Sequence, residues 1–99
     1  MTLKELILAV KEKTLSKEQV EGYRDDLANL SAQMFLEMAD LEKAEALFLD
    51  SSQEKTAVAS QRKWNASEKG QRQIQLKNYI RATDKILGSL KSRLYSMYI

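Results

Sequence analysis

Apolar residues recur along the middle of the chain with a regular step. Val20, Tyr23, Leu27, Leu30 and Met34, then Leu41, Ala44 and Phe48, follow the alternating three- and four-residue spacing of a coiled-coil seam, and Glu37 fits that seam poorly. Phe35, Leu36, Met38, Leu47 and Leu49 widen the apolar surface beyond one stripe, so at least two faces of this helix require cover. A second seam runs through Ile80, Thr83, Leu87, Leu90, Leu94 and Met97, flanked by Ile74, Leu76, Tyr79 and Ile86. Near the N-terminus Leu3, Leu6, Ile7 and Val10 form a shorter amphipathic stretch.

Three Ser or Thr residues precede a Glu or Gln by three positions: Thr2 with Glu5, Ser16 with Gln19, and Ser51 with Glu54. At that spacing the two side chains satisfy orphan amides at a helix start reciprocally. The spacing predicts helices over about 3–13, 17–50 and 52–97, the last broken near Gly70, within one helical domain spanning 1–99. The predicted fold is all-α: an elongated antiparallel helical hairpin or small bundle with coiled-coil character. A chain of 99 residues buries a modest core, and long helices of this kind lean on partner chains. Homo-oligomerisation is therefore expected, through Leu27, Leu30, Met34, Phe35, Leu41, Phe48, Leu87, Leu90, Leu94 and Tyr98.

Composition narrows the chemistry. Cysteine and histidine are both absent, which removes disulfides, thiolate and imidazole metal ligands, Cys nucleophiles and the commonest general base. The carboxylate pairs Asp25 with Asp26 and Glu42 with Glu45 sit among ordinary solvating charge, and Asp84 lies among Lys77, Arg81 and Lys85 as an ion-pair partner. The three glycines, Gly22, Gly70 and Gly88, form no phosphate-cradling loop. The expectation is a protein without catalytic residues, metal or cofactor. Charges interrupt the first apolar stretch, so no signal or membrane segment is expected and the cytoplasm is the predicted location.

Charge is divided along the chain. Residues 1–54 hold six Lys/Arg against twelve Asp/Glu, and residues 55–99 hold ten against two. Either the halves pack on each other or the basic half serves a polyanion. Lys69, Gln73, Lys77, Arg81 and Lys85 fall at four-residue steps and predict a mostly basic ridge opposite the second seam. One reading pairs that ridge with Glu37, Asp40, Glu42 and Glu45 across the hairpin. The other leaves Arg62, Lys63, Lys69, Arg72, Lys77, Arg81 and Lys85 to contact phosphates while Trp64 stacks on an unpaired base. Against stacking stands the use of Trp64 as an anchor that holds a helix junction on the apolar body.

The stretch VASQRKWNAS, followed by NYIRATDKILGSLKSRLYSMYI, carries Val58, Ala59, Arg62, Lys63, Trp64 and Ser67, then Lys91, Ser92 and Arg93. It resembles the phage recombination mediators of the UvsY type over less than half the chain, and the acidic first half has no counterpart there. The resemblance implies a protein of the host cytoplasm that forms rings or higher oligomers, binds single-stranded DNA and helps load a recombinase in place of a single-strand-binding protein. It maps the family's basic cluster onto Arg62 and Lys63. A competing class is a helical interaction module of phage-inhibitor or assembly-factor type that never touches nucleic acid, for which residues 34–49 and the terminal Leu94, Tyr95, Met97, Tyr98 and Ile99 supply apolar surface.

Overall fold

The computed structural model describes residues 2–11 and 15–98, apart from the Tyr98 side chain. The regular elements among them are helices: α1 (Leu3–Val10), α2 (Lys17–Ser51), α3 (Ala57–Ala66) and α4 (Glu68–Tyr98). The all-α expectation holds. Helix α1 ends at Val10 with Lys11 as its C-cap, and residues 12 and 13 of the predicted helix lie outside the described residues.

Two of the three capping signals act as starts. The Glu5 amide donates to Thr2 Oγ1 at 3.2 Å. Ser16 and Gln19 close the full box: the Gln19 amide donates to Ser16 Oγ at 3.1 Å and the Ser16 amide to Gln19 Oε1 at 2.9 Å. The third signal marks a helix end instead. Ser51 is the last residue of α2, and its hydroxyl donates back to the Leu47 carbonyl at 2.9 Å and the Phe48 carbonyl at 3.3 Å. The next helix begins six residues later, where Thr56 is extended and accepts from the Ala59 amide at 3.1 Å.

The break expected near Gly70 falls at Ser67. Its backbone is extended, its amide closes α3 onto the Trp64 carbonyl at 3.0 Å, and its Oγ accepts from the Gly70 amide at 3.0 Å to cap α4. Gly70 lies inside the first turn of α4, and a close approach requires it. A β-carbon there would stand 1.9 Å from the Trp64 carbonyl oxygen and 2.7 Å from its carbon, both backbone atoms.

The chain gathers into two compact units, Met1–Gln33 with Ile80–Ile99 and Met34–Tyr79. The first half of α2 thus joins the second half of α4 in one unit, and the remaining halves join in the other. In the first unit Leu6 and Val10 of α1, Val20 and Leu27 of α2, and Leu90 and Leu94 of α4 form a core, with Leu3, Leu15, Tyr23, Leu30, Ile86 and Leu87 packed against it. Each fully buried leucine here contributes about 1.5–3 kcal/mol. In the second unit Met38, Trp64 and Leu76 are buried, with Met34, Leu41 and Phe48 half-buried.

This packing already uses part of the expected oligomer interface within the chain. Leu27, Leu90 and Leu94 are buried within the chain itself, and Leu30, Leu87, Met34, Leu41 and Phe48 are partly so. Within the first unit the α2 seam from Val20 to Leu30 and the α4 seam cover each other, and α1 packs with them. Phe35, at 54% exposure, remains outside, and the Tyr98 side chain lies outside the described residues. The seam of α2 also shifts: Val20, Leu27, Ser31 and Met38 are its buried positions, and Glu37 turns out of it. An α-helix of 3.6 residues per turn drifts against a repeat of 3.5, so a straight helix does not hold one heptad register over its length.

Candidate nucleic-acid interface

Helix α3 is short and polar, and its hold on the second unit comes from one face. Ser60 and Trp64, four residues apart, are buried, whereas Val58 on the outward side is 61% exposed. The indole of Trp64 is 3% exposed and lies tilted against the Phe48 ring, with centroids 5.6 Å apart. Its Nε1–H donates to Gln73 Oε1 at 2.8 Å. Gln73 Nε2 in turn donates to Glu45 at 3.5 Å, and Glu45 accepts a better bond of 3.1 Å from Gln61 Nε2. Ser60 shares a 2.7 Å hydroxyl contact with Ser52. The buried polar atoms are thereby satisfied, as a low-dielectric interior demands.

Two expectations fall with this geometry. Trp64 offers no open face on which a base stacks, because burial of the largest side chain in the segment outweighs keeping it in water. Gln73 does not belong to the basic ridge: it is 4% exposed and turned inward as the partner of the indole. Successive four-residue steps advance about 40° around a helix, so positions 69 to 85 wind across its surface instead of forming a straight line.

The cations divide between units. Arg62, Lys63, Lys69, Arg72 and Lys77 belong to the second, and Arg81 and Lys85 to the first; all seven are exposed. Lys63 Nζ lies 3.4 Å from Glu54 Oε1. Arg72 makes a forked contact with Glu37, Nε to Oε2 at 2.6 Å and Nη2 to Oε1 at 3.0 Å, and also reaches Gln75 Oε1 at 2.6 Å. The hydrogen bond from Arg72 holds the Glu37 carboxyl below its usual range and raises Arg72 in the same way. Arg62, Lys69, Lys77, Arg81 and Lys85 have no ion-pair partner among the described residues.

The charge division seen in sequence is largely cancelled within each unit. The unit of 1–33 with 80–99 holds nine Lys/Arg and seven Asp/Glu, and that of 34–79 holds seven of each. Segregation persists at the level of the helix: α4 carries seven Lys/Arg and two Asp/Glu, α2 three and nine.

Sequence reasoning missed Ser67, Gln73 and the role of Gly70. Ser67 followed by Glu68, an N-cap type before an acid in the first turn, was a readable start signal. Nothing local marks Gln73 as buried. No protein-family model, curated protein or solved structure matches the chain.

Proposed function

We propose that the chain is a noncatalytic accessory protein of the cytoplasm that binds single-stranded nucleic acid through phosphate contacts from exposed cations of α3 and α4. One observation supports this reading above others. Helix α4 is strongly basic and α2 strongly acidic, yet among the described residues only Lys63 and Arg72 of the seven cations singled out take a carboxylate. Arg62, Lys69, Lys77, Arg81 and Lys85 stay in water, where a cation meets a phosphate without first breaking an internal pair. Trp64 serves this function indirectly, by fixing α3 and the Arg62 it carries. The mediator role implied by the resemblance to UvsY-type proteins, with a recombinase as protein partner, belongs to the same proposal.

Fluorescence anisotropy of a labelled single-stranded oligonucleotide tests it. Affinity should fall with salt at a slope of about −0.7 per phosphate contact, near −3.5 for five contacts. Lys77→Ala should weaken binding evenly across sequences and reduce that slope by about 0.7. Trp64 emission should stay unchanged as DNA is added. No binding at low salt refutes the proposal, and strong indole quenching refutes the indirect role of Trp64.

A second reading, the helical interaction module, is favoured by Phe35, Leu36 and Leu47, which are 54%, 71% and 64% exposed on α2. Under it, Phe35→Ala should abolish partner binding, and Arg62→Ala should leave it intact.

A further inference from the structure

Helix α2 packs one side inward and keeps a second apolar stripe in solvent. Leu36, Asp40, Lys43 and Leu47 follow each other at steps of four, three and four, which brings them to one line on the outward side of the helix. All four are exposed, and neither Asp40 nor Lys43 has an ion-pair partner among the described residues. Phe35, Ala39 and Ala46, also exposed, broaden the stripe along one edge. The leucines of this line, Leu36 at 71% and Leu47 at 64% exposure, leave most of their side chains uncovered by this unit.

The order of the four residues says what fits there. A two-fold axis perpendicular to the helix, passing between Leu41 and Glu42, exchanges Leu36 with Leu47 and Asp40 with Lys43. A second α2 laid antiparallel across the first therefore meets each Leu36 with Leu47 of the other copy, and each Asp40 with Lys43. A parallel copy would set Asp40 against Asp40 and Lys43 against Lys43. From this we infer that the outward face of α2 is an isologous dimer interface, whose partner is a second copy of the same chain in antiparallel orientation. The stripe is about 17 Å long, so the dimer is small and in reversible exchange with monomer. It differs from the expected self-association through the seams, which are occupied within the chain, and it does not depend on nucleic-acid binding.

Sedimentation equilibrium of the full chain over a concentration series tests the inference, with far-UV circular dichroism to verify that each variant keeps its helices. The wild type should dimerise, and Leu36→Asp or Leu47→Asp should weaken the dimer by more than about tenfold. Asp40→Lys alone and Lys43→Asp alone should each weaken it, because each sets like charges across the axis. The double variant Asp40→Lys with Lys43→Asp should recover most of the loss, since the exchange restores both pairs in the opposite sense. A wild type that remains monomeric throughout overturns the proposal and leaves the face to a chain of different sequence. So does a dimer that Leu36→Asp leaves unchanged, or a double variant no better than the worse single one.

Discussion

Gly70 and Glu37 show how differently single residues act in this protein. The Gly70 site has no room for a β-carbon, since the obstacle is the backbone of Trp64 and Asn65 and not a movable side chain. Gly70→Ala should therefore destabilise the second unit by about 3 kcal/mol, the upper range for overpacking, despite the better helix propensity of alanine. Gly22 and Gly88 lie in helices with nothing within 4 Å of the added carbon. Alanine at either should stabilise by about 0.5–1 kcal/mol. Thermal unfolding of the three variants measures both signs, and a neutral Gly70→Ala would contradict the close approach. For Glu37 the effect depends on pH. Its carboxyl titrates lower in the folded chain than in the unfolded one, so the unfolded state binds more protons as pH falls. The contribution of the pair is complete above the ordinary carboxylate range and is lost as pH drops through the lowered value. Glu37 and Arg72 side chains are 41% and 42% exposed, which keeps that contribution near 0.5 kcal/mol. Urea midpoints of Glu37→Gln should fall below wild type near neutrality and converge with it in acid.

At the scale of elements, hydroxyls mark the boundaries, and three serines among them act in two different ways. Ser16 and Ser67 cap helices, and Ser51 lies at the end of one. Ser16→Ala and Ser67→Ala should each cost about 1 kcal/mol, the usual loss for an N-cap, and Ser51→Ala should be close to neutral. Chemical denaturation of the three variants separates them. The identical three-residue spacing at Ser16 and Ser51 was equally legible in sequence, and it misled at the second. A Ser hydroxyl is as able to donate backwards to the preceding turn as to accept from the next one, and local sequence does not choose between them. The apolar periodicities, by contrast, translated directly into α2 and α4. Repeated burial at helical spacing is a property of the element itself, whatever it packs against.

For the whole molecule, the charge division has two readings, and the fold bears on the first of them. Neutralisation occurs by pairing acidic and basic segments within each unit, while individual cations of α4 remain solvated. The salt slope of nucleic-acid binding is the measurement that weighs those cations, because it counts phosphates and ignores the net charge of the chain. The sequence by itself determined the helical class, the apolar periodicity of α2 and α4, the Ser16 box and the exclusion of Cys and His chemistry, since composition and local periodicity are short-range facts. Only the tertiary structure decided that Leu27, Leu90 and Leu94 meet in one core, that Trp64 and Gln73 turn inward as partners, and that Gly70 is a contact point. Those outcomes depend on which surfaces meet after the chain turns back, a long-range competition for burial that no window of sequence contains.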